Sequence, residues 1–351
     1  MLNADFRMSR KTVCHFRIYS GASRAGTLAR LTYLGVNEGL RYIAPFVAQC
    51  FFESSCIDQE GTLEWEQLDD FIKRNKADMS LLMTSSDVIQ QYQKPSDVVG
   101  LSRIHQKVDV SAGWEHVLGQ LSNRESKRRA QSIKRGFQYD VSIEDEDFFS
   151  FYRTMHVPTM NARYGDFARS VEEQDAFLNL FKRGVLFRVQ MHAEWVAGSV
   201  SQIEWSTRTL NARLIGMKGG SAVYRANGAQ NFVYHSILEW ASNQSSIDWV
   251  DFQGCEPFLS KGTFQYKKRF GAQAVVPENG FGQWRILIRM PTLCAAVRKF
   301  LINNPLIGLD ADGRLQAQYF FDSDHEIRSD IPYASKGIYS QVNRNLDQWH
   351  G

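Results

Sequence analysis

Two short segments in the second half of the chain combine acidic, basic and aromatic residues at spacings suited to chemistry. The first begins with Asp251, at the end of a short apolar run. A carboxylate there can accept a proton from a nucleophile, while a salt bridge or a helix cap is an equally good interpretation. The second, residues 262–272, carries Lys267. A lysine suits the stabilisation of a negative oxygen, and the alternative is a solvated turn beside a buried Phe270.

A glycine-containing turn precedes the most regular helical pattern of the chain. Residues 219–230 contain Arg225 followed by Gly228, and apolar spacing predicts a helix over 226–243. The first turn of a helix has free N–H groups and the positive end of the helix dipole, so it binds phosphate well. The turn predicts a phosphate site, and a plain helix-initiating turn is supported equally.

Other residues leave further alternatives open. The basic cluster at 124–135 either faces phosphate or forms a solvated helix face. His156 and His235 are alternative bases, although histidines on apolar-patterned segments are usually packed in the core. Cys255 has no clear partner pattern for a nucleophile and is interpreted as an unreactive thiol. The sequence contains neither a P-loop nor a strand-linked dinucleotide fingerprint, which argues against a kinase or a dinucleotide enzyme.

The elements that must position these residues alternate between strands and helices, which indicates an α/β or α+β fold. In the first half we predict strands within 12–52, including the run 41–52, and at 79–83, followed by a basic helix at 114–137. Residues 285–302 are interpreted as a helix packed on the body. The second half is predicted to contain a loop, three antiparallel strands, a helix and a strand: 158–165, 185–192, 196–205, 210–217, 226–243 and 249–252.

The length and composition of the chain exclude several classes of protein. The 351 residues correspond to about two domains of roughly 150 residues each. Hydrophobic residues make up 43% and the net charge is only +3, which excludes disorder and a polyanion-coating protein. Five cysteines without a C-x-x-C pair predict a reducing compartment and no metal site. The longest apolar run is shorter than the ~20 residues of a membrane span, and residues 1–11 lack a signal-peptide pattern. We therefore expect a cytoplasmic protein.

The two segments described first, 251–255 and 262–272, resemble the closing signature of the FemAB-like branch of the GNAT acyltransferase superfamily, of the polysaccharide-biosynthesis type. That signature has D-F-G followed about a dozen residues later by F-K-x-x-F-G. The resemblance covers about 114–272. Three residues depart from the pattern and bear on substrate identity: Gln253, Cys255 and Tyr266.

The resemblance implies an α/β (α+β) fold with tandem GNAT-like lobes, each a mixed, mostly antiparallel sheet flanked by helices. It places a degenerate N-terminal lobe at 1–140 and a catalytic C-terminal lobe at 141–284. Residues 285–351 would then be a helical or extended tail packed on the body.

The implied reaction is transfer of an acyl group from acyl-CoA, as co-substrate, to an amine or hydroxyl of a bacterial cell-envelope or exopolysaccharide precursor. The nucleophile attacks directly, without a covalent enzyme intermediate and without a metal. The resemblance places Lys267 at the negative oxygen of the tetrahedral intermediate, with Asp251 as the proton acceptor. It further implies a cofactor-binding set and a substrate-binding set: Arg225, Asn227, Gly228 and Ala229, and Arg163, Tyr164, Lys261 and Tyr266.

Two other functions stay open. One is an aminoacyl-tRNA-dependent transferase acting on a peptidoglycan precursor, and the other is an inactive GNAT-fold scaffold in envelope assembly. The expected partners are a small-molecule, lipid-linked or nucleotide-linked glycan acceptor and envelope-biosynthesis proteins. No DNA is expected, tRNA belongs only to the alternative, and the protein could lie at the inner membrane.

Overall fold

The computed structural model describes residues 13–165 and 170–349. Within them the chain forms sixteen strands: β1 Cys14–Ser23, β2 Leu28–Gly35, β3 Phe52–Leu63, β4 Met79–Ser85, β5 Val98–Leu101, β6 His105–Asp109, β7 Phe137–Ser142, β8 Gly184–Met191, β9 Glu194–Glu204, β10 Thr209–Met217, β11 Trp249–Asp251, β12 Gln273–Val275, β13 Trp284–Arg289, β14 Leu306–Leu309, β15 Leu315–Phe321 and β16 Ile338–Asn345.

The α-helices of the described residues are α1 Asn37–Phe51, α2 Leu68–Asn75, α3 Ser86–Tyr92, α4 Trp114–Gln120, α5 Asn123–Lys134, α6 Asp145–Phe151, α7 Val157–Tyr164, α8 Glu173–Ala176, α9 Ala222–Ala226, α10 Ala229–Ser242, α11 Gly262–Lys268 and α12 Ala295–Asn303. Wider π-helical turns join α6 to α7 and extend α8 at its C-terminus, over Tyr152–His156 and Phe177–Phe181. No helix in these two stretches of chain is both long and apolar enough to cross a membrane.

The first of two compact units comprises the described residues up to Ile104, Cys255–Phe264 and those from Val276 onwards. Its main sheet has the order β3-β1-β2-β4-β13-β5 and a single parallel pair, β2 with β4. Helices α1 and α12 contribute Phe51 and Phe300 to the core on one face. A second cluster, to which α2 and α3 contribute, fills the other face. Strands β14, β15 and β16 form a small additional sheet.

The second unit comprises His105–Gly254 and Gln265–Val275. Its sheet has the order β12-β6-β11-β10-β9-β8-β7, again with one parallel pair, β10 with β11. Helix α10 packs its apolar side on β8, β9 and β10. The aromatic side chains of α6 and of the turn after α8 form a separate cluster with Leu186, Val200 and Leu214 of the sheet. Both units are thus built on mixed, mostly antiparallel sheets flanked by helices, which confirms the predicted fold class.

Each sheet includes a strand that the chain order would assign to the other. Strand β6 follows β5 directly in sequence, yet it pairs with β11 and β12 in the second unit. Strand β13 follows β12, yet it pairs with β4 and β5 in the first. Because of this exchange, the boundaries at 140 and 284 that we expected from the sequence do not coincide with those of the two units.

Several predicted elements are confirmed, among them the three antiparallel strands β8, β9 and β10, the helix α10 and the strand β11. Most of the run 41–52 is instead helical, since residues 41–51 lie in α1, where Ile43, Val47 and Phe51 are buried at intervals of four residues. That spacing belongs to a helix face.

Two further predictions are wrong. Residues 158–165 were expected to be a loop, but α7 extends to Tyr164, with Pro158 in its first turn, where a proline is tolerated. Residues 285–302 were expected to be one helix, but they contain β13 and then α12. The strand is buried on both faces between β4 and β5, so its apolar run carries no alternation that would reveal it.

Candidate active site

The sheet of the second unit opens at the carboxyl end of its parallel strand pair. Thr209–Asn211 of β10 pair with Trp249–Asp251 of β11. Strand β10 then continues to Met217, and the pairing described there is with β9. The two parallel strands are therefore separate beyond Asn211 and Asp251. Such carboxyl ends are common ligand sites in α/β proteins.

Asp251 lies at this opening and is hydrogen-bonded at both carboxylate oxygens. Oδ2 is 2.8 Å from Nδ1 of His105 on β6, and Oδ1 accepts the backbone N–H of Gln253 at 2.6 Å. Only 4% of Asp251 and 7% of His105 are exposed. Burial alone would raise the pKa of the Asp251 carboxyl, but the hydrogen bonds from His105 and from the Gln253 N–H, together with the charge of Lys107, lower that pKa. The carboxyl is ionised at neutral pH.

Gln253 forms a tight turn that links Asp251 to Lys267. Its φ is +65°, in the left-handed region that glycine adopts most easily. Its carbonyl accepts a 2.7 Å hydrogen bond from Nζ of Lys267, a side chain that is only 4% exposed. Its side-chain amide donates to Asn211 at 3.1 Å, across the opening between the strands. The structure therefore brings the two predicted catalytic residues to one turn.

Tyr266, the residue before Lys267, has a buried hydroxyl with no hydrogen-bond partner among the described residues. Burial, with smaller effects of Tyr234 and Glu125, raises the pKa of this phenol well above its usual value, so it stays protonated. Arg163 on α7 lies close enough to act electrostatically on it. A buried hydroxyl without a partner is costly, and a ligand oxygen or nitrogen would satisfy it.

Phe270 and Gly271, which complete the signature, are structural. Phe270 is fully buried and contacts Tyr234 and Tyr266. Gly271 has a φ of +78°, and a Cβ there would lie 2.7 Å from Cβ of Gln120 and 3.0 Å from its carbonyl oxygen. These two residues fix α11 on the sheet and so place Lys267.

The chain passes from the carboxyl end of β10 through α9 into the N-terminus of α10. Gly228 precedes the helix with a φ of +100°, and no side chain of the described residues caps it. Ala229 is buried, whereas Arg225 and Asn227 are exposed. The carbonyl of Asn227 accepts a hydrogen bond from Arg135 at 3.1 Å. Of the predicted cofactor-binding residues, Arg225 and Asn227 are thus exposed in the junction before the positive end of the helix, while Ala229 is its buried first residue.

Helix α7 and the residue before it are hydrogen-bonded to the segment of β10 that continues beyond Asn211. The Thr159 hydroxyl accepts the N–H of Met217 at 2.8 Å and lies 3.2 Å from its carbonyl oxygen. Nδ1 of His156 is 3.0 Å from the carbonyl oxygen of Ile215. This contact holds the His156 ring against β10, and its Nε2 is buried with no hydrogen-bond partner among the described residues. The exposed Arg163 and the backbone of Tyr164 end this helix, while the Tyr164 side chain lies outside what the structure describes.

Lys261 belongs to the first unit and not to the one that holds the other predicted residues. Its Nζ is 3.0 Å from the carboxylate of Glu256 and 4.3 Å from the centre of the Phe46 ring.

The charged side chains of the basic helix α5 form two groups, one that holds α5 against α10 and one that is exposed. Glu125 is fully buried and accepts hydrogen bonds from Arg128 at 2.8 Å and Asn231 at 2.7 Å. Arg129 pairs with Glu239 of α10. These contacts fasten α5 to α10, while the remaining basic residues are exposed: Arg124, Lys127, Lys134 and Arg135.

The sequence interpretation missed His105. It lies 146 residues from Asp251 in the chain, and no local pattern connects the two. In the antiparallel register of β6 and β11, Asp251 is opposite Lys107. His105 lies two residues before Lys107, so its side chain is on the same face of the sheet as Asp251. Only the folded chain shows this relation.

No family model and no curated protein matches this chain. Among solved structures, the chain is similar to FemX at 11% identity, covering 77% of this chain and 87% of that chain with a TM-score of 0.43. L-PGS from Bacillus licheniformis is similar at 9% identity, covering 81% of this chain and 87% of that chain, with a TM-score of 0.39. A GCN5-related N-acetyltransferase from Kribbella flavida is similar at 10% identity, covering 75% and 82%, with a TM-score of 0.32. The function proposed next depends on this chain's own residues.

Proposed function

We propose that the protein transfers an acyl group from acyl-CoA to an amine or hydroxyl of a bacterial cell-envelope or exopolysaccharide precursor. One observation carries this proposal. The buried Lys267 is hydrogen-bonded to the turn at the carboxyl end of β11, and the uncapped N-terminus of α10 follows the carboxyl end of the parallel neighbour β10. A helix N-terminus binds a pyrophosphate, and a fixed ammonium stabilises the oxyanion formed when a thioester is attacked.

The other predicted residues have roles consistent with this reaction. Arg225 and Asn227 are exposed beside the helix end and can contact phosphate. The protonated hydroxyl of Tyr266 can donate to a substrate, and Arg163 is close to it. An acceptor amine or hydroxyl that attacks the acyl carbon directly needs no covalent enzyme intermediate, so positioning and electrostatics supply the catalysis.

A second candidate is transfer from aminoacyl-tRNA to a peptidoglycan precursor. The exposed basic residues of α5 favour it, because Arg135 at the end of that helix donates to the carbonyl of Asn227, just before α10. A row of Arg and Lys beside a phosphate-binding helix end suits a polyanion.

Titration of the purified protein by calorimetry and thermal shift tests both. Acetyl-CoA, longer acyl-CoAs and aminoacyl-tRNA are the ligands, since a ligand that binds only the folded protein raises its Tm. Stabilisation by an acyl-CoA, with release of free thiol when an amino-sugar acceptor is added, supports the first function. Stabilisation by aminoacyl-tRNA alone supports the second. If neither binds, the scaffold hypothesis replaces both.

We also propose that the acceptor is a nucleotide-linked or lipid-linked glycan and that the protein works in the cytoplasm beside the inner membrane, together with other envelope-biosynthesis proteins.

A further inference from the structure

His105 and Asp251 form a buried pair that the proposed reaction has not yet used. Their 2.8 Å contact joins β6 to β11, next to the opening of the sheet. Asp251 cannot easily act as a base itself, because both oxygens accept hydrogen bonds and its carboxyl has a lowered pKa. A proton that leaves the attacking nucleophile therefore needs another acceptor.

The pairing with Asp251 determines which nitrogen of His105 carries the proton. An ionised carboxylate only accepts hydrogen bonds, so Nδ1 of His105 must be the donor. In the neutral imidazole, Nε2 is then unprotonated and can accept a proton. Among the described residues no group hydrogen-bonds to Nε2. A histidine oriented by a carboxylate in this way is the usual arrangement of a general base.

The position of His105 fits that role. The three-residue turn from Asp251 to Gln253 holds His105 through the Asp251 carboxylate and Lys267 through the Gln253 carbonyl. The oxyanion-stabilising group and the imidazole are therefore fixed by the same turn. Asp251 on β11 is paired with the imidazole, Lys107 on β6 itself acts on the same carboxylate, and β12, which pairs with β6 on its other side, has no titratable side chain.

We propose that Nε2 of His105 is the catalytic base of the acyl transfer, with Asp251 as its positioning residue. This assignment rests on the proposed function. The nucleophile's nitrogen or oxygen bonds to the acyl carbon, its proton moves to Nε2, and the carbonyl electron pair moves to the oxygen beside Lys267. The C=O bond then re-forms, the C–S bond breaks, and the leaving CoA thiolate takes the proton from the imidazolium. The histidine returns to its neutral form.

The alternative is that the pair only fastens β6 to β11. The variant His105→Asn separates the two roles, since its amide N–H can replace the Nδ1–H donor to Asp251 but supplies no base. We expect its kcat for thiol release from acetyl-CoA, with a UDP-linked amino sugar as acceptor, to fall about 10²- to 10⁴-fold. Its Tm should remain near that of the parent. The acid limb of the pH profile of kcat/KM should disappear.

Two further variants complete the test. Asp251→Asn can donate to Nδ1 and so selects the wrong tautomer of His105, which should lower kcat while leaving the KM for acetyl-CoA unchanged. The matched control His116→Asn replaces an exposed histidine of α4 and should keep full activity.

The outcomes distinguish failure of the base assignment from failure of the proposed function. If the parent is active and His105→Asn keeps both its rate and its acid limb, the pair is only structural and the base assignment is overturned. If the parent neither binds nor turns over any acyl-CoA, the proposed function is wrong, and the base assignment that rests on it is wrong as well.

Discussion

Lys267 is a buried lysine whose Nζ donates a hydrogen bond to the backbone carbonyl of Gln253. Replacement by methionine keeps the length and shape of the side chain but removes the charge. We expect Lys267→Met to lower kcat about 10²- to 10³-fold, the usual cost of losing one oxyanion-stabilising donor. Steady-state assays of thiol release measure the effect.

The neighbouring Lys268 offers a control at the same helix end. It is only half-buried, so Lys268→Met should keep most of the activity. Equal activity of the Lys267 variant and the parent, with both folded by circular dichroism, would contradict the role that we assign to Lys267.

His235 on α10 makes stability depend on pH. It is 1% exposed, and burial, with a smaller effect of Arg129, lowers its pKa from 6.5 to about 3. Between these values the unfolded chain takes up a proton that the folded protein does not. The free energy of unfolding therefore falls as the pH drops below 6.5, by up to about 1.4 kcal/mol per pH unit.

Urea unfolding at several pH values tests this contribution. His235→Gln should flatten the dependence between pH 6.5 and pH 4, whereas His116→Gln, a change at an exposed position of α4, should leave the slope of the parent. Parallel slopes for the parent and His235→Gln would show that this histidine is not the group responsible.

The position of helix α11 depends on Gly271, the glycine that follows its C-terminus. In Gly271→Ala the new Cβ meets Gln120 at 2.7 Å and the backbone must keep a φ of +78°. We expect a loss of about 1–3 kcal/mol in the free energy of unfolding, together with reduced activity because Lys267 shifts. Chemical denaturation gives the first quantity and the thiol assay the second.

Gly262→Ala at the other end of the same helix is the comparison. A Cβ there meets no described atom within 4 Å, so stability should change by less than about 0.5 kcal/mol. A similar loss in both variants would show that the contact with Gln120 does not determine the cost, since helix propensity alone favours alanine over glycine.

Elements with strong local signals could be predicted from the sequence. The periodic apolar residues of α10 and the turn at His192 and Ala193, which have φ values of +52° and +65°, define their elements locally. Helix α1 was missed because a short apolar run with Pro45 inside is compatible with either structure. Asp251 and Lys267 were found through a local signature, whereas His105 comes from a strand pairing that only the folded chain defines.

At the scale of the whole molecule, the exchanged strands decide which fragments can fold. Residues 105–275 contain all seven strands of the second sheet, so this fragment should unfold cooperatively. The lobe that the sequence suggested, 141–284, lacks β6 and most of β7 and should not. Thermal unfolding followed by circular dichroism compares the two, and a cooperative transition in 141–284 would contradict the importance of β6.

The same exchange sets an order of assembly during protein synthesis. Strands β4 and β5 leave the ribosome early, but the strand that joins them, β13, is not made until residue 289. By then the chain up to residue 275, which completes the second unit, has already been translated. The middle of the chain can therefore fold before its beginning does, in contrast to the usual order in which N-terminal domains fold first. Until then, the edges of β4 and β5 that will receive β13 are open to pairing with other nascent chains.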